Sequence, residues 1–77
     1  MVISTCSFKS EDETLIIVIT KNDEYGWDVE IHQFPMGNLM GSYNDFNKMV
    51  EDISQFTYRL SNEERIAFAK EFKKVSI

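Results

Sequence analysis

The sequence predicts a small α+β fold in which a three-stranded antiparallel meander, with a possible short fourth strand, packs against two C-terminal helices. Two strands are indicated by an apolar run, TLIIVIT, and by the alternating segment that follows it, WDVEIHQF. Helices are indicated after residue 45, where apolar residues recur at three- and four-residue steps. The 77 residues contain no repeat and no linker. We therefore expect one domain, residues 1–77, with the order βββ(β)αα.

The first strand is predicted in residues 1–8, which are rich in β-branched residues and end at a polar cluster, KSEDE. The second strand, residues 14–21, is apolar on both faces. Residues 22–26 contain Asn, Asp and Gly, which tolerate the positive φ angles of a hairpin loop. In the register that this loop favours, Lys21 faces Trp27. The next pairs on that face are Ile19 with Val29 and Ile17 with Ile31.

Pro35 should end the third strand, because proline has no N–H to donate to the sheet. Residues 39–41 are expected to add at most a very short fourth strand. Ser42 or Asn44 is the predicted cap of the first helix. The apolar positions of that helix are Phe46, Met49, Val50, Ile53, Phe56 and Leu60.

A second helix should begin at Ser61, because Ser61 and Glu64 have the spacing of a capping box. Its apolar stripe consists of Phe68, Ala69, Phe72 and Val75. Two helices after a meander most easily cover one face of the sheet. We expect that face to carry Leu15, Ile17, Ile19, Trp27, Val29 and Ile31, with Trp27 in the core.

Charge is unevenly distributed along the chain. Residues 1–58 contain three lysines and ten acidic residues, a net charge of −7, whereas residues 59–77 have a net charge of +2. An acidic body repels phosphate, so direct binding to nucleic acid is disfavoured and a basic protein partner is favoured. Because the chain has one cysteine and no signal-peptide or membrane-spanning pattern, we expect a cytoplasmic protein that does not bind membranes.

The sheet face away from the helices is predicted to stay partly open and to bind a partner. On it, Ile16 and Val18 lie beside an acidic strand face. The acidic hairpin loop between the second and third strands is a further candidate. The predicted partner-binding residues are Ile16, Val18, Asp23, Glu24, Asp28, Glu30 and His32.

Catalytic and metal sites are weakly indicated. Asp28, Glu30 and His32 have a spacing that would let them share a metal ion, but no second group of ligands accompanies them. His32 is the only histidine, and no Ser or Cys is tied to it by spacing. Cys6 is expected to be a small buried residue instead of a reactive thiol. We predict no catalytic residues, no metal and no cofactor.

The segment from Ile16 to Ile53 resembles the N-terminal domain of HicB-type antitoxins. The resemblance lies in a strand, a polar turn with glycine, an aromatic residue opening the next strand, a proline just after it, a glycine-bearing short strand and a capped helix. The alanine-rich helix opening of that family is absent, as is a helix-turn-helix or ribbon-helix-helix segment. The resemblance implies a fold that sequesters a small basic RNase or a similar protein.

Three functional hypotheses follow. The first is a non-enzymatic, acidic protein-binding module, that is, an inhibitor, antitoxin-like protein or adaptor that acts on a basic and possibly nucleic-acid-acting protein. The second is a homodimer or assembly subunit formed through the open face or through an unpaired edge strand, with the third strand as the edge if no fourth strand covers it. The least favoured is a metal-dependent or acid/base enzyme that uses His32.

Overall fold

The computed structural model describes residues 1–76 and contains four strands followed by two helices. The strands are β1 (Val2–Lys9), β2 (Leu15–Asn22), β3 (Gly26–Gln33) and β4 (Gly37–Tyr43), and the helices are α1 (Phe46–Thr57) and α2 (Asn62–Phe72). All four strands form one antiparallel sheet of order β1-β2-β3-β4. The predicted α+β fold is confirmed, and the possible fourth strand is a seven-residue strand.

The predicted pairing of β2 with β3 is confirmed residue by residue. Lys21 lies opposite Trp27, and the same register pairs Ile19 with Val29 and Ile17 with Ile31. These aliphatic residues are buried because their face of the sheet packs against the helices. A slip of one residue would move all of them to the opposite face, so burial of this face specifies the register.

The core lies between the sheet and the two helices. Met49 and Ile53 of α1 are buried, as are Leu60 in the connection between the helices and Val75 beyond α2. From the sheet, the buried apolar residues are Cys6, Phe8, Leu15, Ile17, Ile19, Val29 and Ile31. Trp27 packs against this core from its edge, with its ring centroid 5.5 Å from that of Phe46. Its predicted position on the core side of the sheet is therefore confirmed, and its side chain is partly buried there.

Helix α1 begins at Phe46, one residue later than an Asn44 cap would place its start and three residues later than a Ser42 cap would. Asp45 is the N-cap, and its carboxylate accepts hydrogen bonds from the N–H groups of Asn47 and Lys48. Ser42 cannot cap the helix because β4 extends to Tyr43 and includes it. The prediction of Ser42 or Asn44 was therefore wrong, because the Asp45 carboxylate accepts the hydrogen bonds of the first turn.

The capping box of α2 is present as predicted. The Ser61 hydroxyl accepts a hydrogen bond from the Glu64 N–H, and the Glu64 carboxylate accepts one from the Ser61 N–H. The predicted apolar stripe is only partly right, because Ala69 is exposed. Val75 is buried although α2 ends three residues before it.

The sheet edges are β1 and β4. Because β4 pairs along the whole of β3, from Trp27 with Tyr43 to Gln33 with Gly37, the third strand is not an edge. The conditional expectation of an exposed third strand is thereby corrected. Within residues 1–76, neither helix has the length and apolar character needed to span a membrane.

Candidate functional site

One face of the sheet is not covered by either helix, and we call it the open face. It is defined by three rows of side chains that each cross all four strands, and the side chains alternate along each strand with the residues of the covered face. The rows are Lys9, Ile16, His32 and Asn38; Ser7, Val18, Glu30 and Met40; and Thr5, Thr20, Asp28 and Ser42.

Five of the seven predicted partner-binding residues lie together on the open face. They are Ile16, Val18, Asp28, Glu30 and His32, and each is partly accessible to solvent. The β2 residues form an aliphatic column, and the β3 residues form a parallel polar column beside it. The sequence therefore brings these five residues together through the strict alternation of β2 and β3.

Asp23 and Glu24 do not lie on the open face. They belong to the connection between β2 and β3, at one end of the sheet. The Met1 amino group lies 2.8 Å from the Asp23 carboxylate and 3.9 Å from that of Glu24. These two residues are therefore separate from the cluster of five.

The Asp28 carboxylate is held in place by two hydroxyl groups. The Tyr25 hydroxyl donates to one of its oxygens, and the Ser42 hydroxyl donates to the other at 2.7 Å. These two hydrogen bonds lower the pKa of Asp28 below its ordinary value, and the bond from Tyr25 has the larger effect. The same carboxylate raises the pKa of Tyr25. Asp28 therefore presents an oriented negative charge at the open face.

Glu30 and His32 form a second polar contact on the same strand. The His32 Nε2 atom lies 3.0 Å from a carboxylate oxygen of Glu30. Both side chains remain partly exposed, at 42% for Glu30 and 30% for His32. The Glu30 carboxylate is therefore accessible to a ligand that approaches the open face.

A groove of about 340 Å³ lies on the open face between these polar groups and their apolar neighbours. Its lining includes Val18 and Met40 as apolar walls and the carboxylates of Asp28 and Glu30. Lysine and arginine have apolar stems and charged ends, so they can contact both kinds of surface at once. The groove is chemically suited to a basic side chain from another protein.

The same residues offer little for metal binding. Across residues 1–76, no group of three or more His, Cys, Asp and Glu side chains is arranged to hold a metal ion. The Asp28 carboxylate already accepts two hydroxyl hydrogen bonds, and Glu30 contacts His32.

Three residues of the site were missed in the sequence analysis: Tyr25, Met40 and Ser42. Tyr25 and Ser42 position Asp28, and Met40 lies beside Glu30 with 75% of its surface exposed. A signal for two of them was present. In residues 37–43, Asn38, Met40 and Ser42 alternate with Leu39 and Tyr43, which is the pattern of a strand with one exposed face.

Comparison of the chain with protein families, curated proteins and solved structures finds no significant match. The open face is therefore interpreted from its own geometry and charge. Its distinguishing features are the oriented Asp28 carboxylate, the adjoining Glu30 and the aliphatic column beside them.

Proposed function

We propose that the chain is a non-enzymatic protein-binding module that binds a basic protein on its open face, as an inhibitor, antitoxin-like protein or adaptor. The observation that carries this proposal is the clustering of Ile16, Val18, Asp28, Glu30 and His32 on one uncovered sheet face. The cluster combines apolar contact area with negative charge. In protein interfaces, apolar contact area contributes affinity and charge contributes partner selectivity.

The charge of the chain supports a basic partner. The chain has a net charge of −5, and its acidic residues are concentrated before residue 59. A basic protein would be attracted over distances of about one Debye length, roughly 8 Å at physiological ionic strength. On contact, its lysine or arginine side chains would bind Asp28, whose carboxylate needs no reorientation because Tyr25 and Ser42 already hold it.

The resemblance of residues 16–53 to HicB-type antitoxin domains favours the same class of partner, since those domains sequester small basic RNases. In this proposal the open face blocks or modulates the basic protein. It acts in the cytoplasm and binds neither nucleic acid nor membrane directly.

Affinity capture from a cell extract tests the proposal, with the tagged parent chain compared with two charge-reversal variants. The first variant is Asp28→Lys with Glu30→Lys on the open face. The matched control is Glu11→Lys with Glu51→Lys, which makes the same change in net charge at exposed positions outside the open face. We expect a basic protein to be retained by the parent and the control but not by the open-face variant.

Salt and NMR measurements on the captured protein complete this test. Binding should weaken as ionic strength rises from about 0.1 M to 1 M, because the Debye length falls from ~10 Å to ~3 Å. The amide resonances that shift on binding should come from the three rows of the open face. A partner that binds the open-face variant as tightly as the parent, or that ignores salt, would overturn the proposal.

A further inference from the structure

The two edges of the sheet differ in how their outward backbone groups are satisfied. On β1, the Ser7 N–H donates to the Glu71 carboxylate of α2 at 3.2 Å. The strand also has an irregular register between Val2 and Ser4, and it carries Lys9 on the open face. Bulges, lysines and covering elements are common ways of preventing one sheet edge from pairing with another. The β1 edge is therefore protected.

The β4 edge has none of these protections. Its sequence, GNLMGSY, contains no charged residue and no proline, and its pairing with β3 runs without a register shift. Among residues 1–76, Tyr43 is the one β4 residue whose side chain forms a hydrogen bond to a helix. An uncharged, regular edge of this kind favours pairing with another strand.

The outward backbone groups of β4 can be identified from the ladder. The N–H of Phe34, just after β3, donates to the carbonyl of Thr14, just before β2, at 2.9 Å. Because backbone groups alternate in direction along a strand, the even-numbered residues of β3 direct theirs toward β2. Odd-numbered β3 residues therefore bond to β4, where their partners are also odd-numbered. The N–H and C=O groups directed away from the sheet are those of Asn38, Met40 and Ser42.

We propose that β4 pairs antiparallel with β4 of a second copy of the chain, about a two-fold axis at Met40. The two four-stranded sheets then form a single sheet of eight strands. The sequence of β4 is complementary to itself in this arrangement. On the helix side, Leu39 lies opposite a glycine, Gly41 of the second copy, and Tyr43 lies opposite its Gly37. On the open-face side, Asn38 opposes Ser42 and Met40 opposes Met40. The Tyr43 ring lies over Gly41 of its own strand, so Leu39 of one copy would pack against the Tyr43 ring of the other.

Backbone pairing and charge both permit this dimer. The three outward residues of each strand would form about six hydrogen bonds between the copies. On the open face, the acidic residues Asp28 and Glu30 lie one strand further in, so those of the two copies are at least about 14 Å apart at a strand spacing of ~4.8 Å. That separation exceeds the Debye length of roughly 8 Å at physiological ionic strength. Repulsion between them is largely screened.

Sedimentation equilibrium from about 1 μM to 1 mM tests the dimer. We expect the parent to dimerise with increasing concentration, and Met40→Lys to weaken dimerisation at least ~10-fold because it opposes two positive charges at the axis. Met40 is 75% exposed, so this variant should keep the far-UV circular dichroism and melting transition of the parent. The matched control is Val2→Lys, at a 56% exposed position on the protected β1 edge, which should dimerise like the parent.

Amide exchange measured by NMR locates the interface. The N–H groups of Asn38, Met40 and Ser42 should become protected as concentration rises, whereas those of Leu39 and Gly41 should be protected at every concentration. A monomer up to 1 mM, a dimer that is disrupted by Val2→Lys, or protection without this alternation would overturn the proposal. Asp28→Lys with Glu30→Lys should leave the dimer intact, so the loss of partner binding and the loss of dimerisation can be distinguished.

Discussion

The indole N–H of Trp27 donates a hydrogen bond to the backbone carbonyl of Val75 at 2.7 Å. This bond joins β3 to the segment that follows α2, while the indole ring packs on Phe46 of α1. Val75 is itself fully buried. One side chain therefore connects the sheet with α1 and with the C-terminal segment, which explains why Trp27 belongs to the core although its strand carries the candidate site on its opposite face.

Replacing Trp27 with phenylalanine should destabilise the fold by about 1–3 kcal/mol, because the buried Val75 carbonyl would lose its donor. Urea unfolding followed by circular dichroism measures this change. Tyr58→Phe is the control, since Tyr58 is 66% exposed and should shift the free energy of unfolding by no more than ~0.5 kcal/mol. Equal stability of Trp27→Phe and the parent would show that the hydrogen bond contributes little.

The aliphatic core should tolerate truncation poorly. Ile17 is completely buried and Ile53 is 4% exposed, so Ile17→Ala or Ile53→Ala should cost ~2–5 kcal/mol. A loss of that size is comparable to the total stability of many small domains, so much of either variant should be unfolded. Ile66→Ala is the matched control, because Ile66 is 59% exposed. Thermal unfolding of the three variants would contradict the core assignment if all of them melted alike.

Cys6 should be chemically inert while the protein is folded. The pKa of its thiol is raised to about 11, mainly by burial and secondly by the charge of Glu71, against an opposing effect of Lys74. Labelling by a thiol reagent at pH 8 should therefore be slow in buffer and fast in denaturant. Rapid labelling in buffer would indicate that β1 detaches from the core.

The fold was largely predictable because β2 and β3 differ in their apolar pattern: β2 is apolar on both faces, and β3 is apolar on one. The strict alternation of Trp27, Val29 and Ile31 with polar residues defines both faces of β3, and the loop at residues 22–26 then favours the register that buries Ile17 and Ile19 of β2. The strand β4 was underestimated because its two glycines interrupt the apolar pattern. The Ser42 cap was excluded by the longer strand, because Ser42 belongs to β4.

The candidate site was predictable only where local alternation determines it. The open-face positions of Ile16 and Glu30 follow from the β2–β3 register. By contrast, the bond from Ser42 to Asp28 joins residues on different strands, and it requires β4 to be placed first. The contact of Asp23 with the Met1 amino group likewise depends on the pairing of β1 with β2, which sequence spacing does not reveal.

Two glycines offer a matched test of the hairpin ends. Gly26 and Gly37 both have positive φ angles, 126° and 105°, so alanine should be strained at either position. A Cβ atom at Gly26 would clash with the Tyr43 carbonyl oxygen, whereas at Gly37 it would meet nothing within 4 Å. Gly26→Ala should therefore destabilise the fold clearly more than Gly37→Ala. Equal melting temperatures would show that the Tyr43 end of β4 moves away easily.

Three carboxylates that join the helices to the sheet or to the connection between β1 and β2 should make the stability of the fold depend on pH in acid. The pKa of Glu64 is lowered by the N–H groups of Ser61 and Glu11, that of Glu71 by Lys74 and then by the Ser7 N–H, and that of Asp52 chiefly by the Tyr43 hydroxyl. Because each folded-state pKa is below its unfolded value, the unfolded chain binds more protons in acid. The stabilisation is therefore complete well above the ordinary values of 3.8 for Asp and 4.5 for Glu, and it is lost as the pH falls through the lowered values.

Glu64→Gln isolates one of these contributions, because glutamine keeps the size of the side chain and an accepting oxygen but does not ionise. Urea unfolding between pH 7 and pH 3 should show a decline in the parent and a shallower decline in Glu64→Gln. The control is Glu63→Gln, at an exposed neighbouring position of α2, which should follow the parent. If Glu64→Gln also followed the parent over this range, the bonds from Ser61 and Glu11 would not be sensitive to its charge, and the acid lability would come from other carboxylates with a lowered pKa, such as Glu71, Asp52 and Asp28.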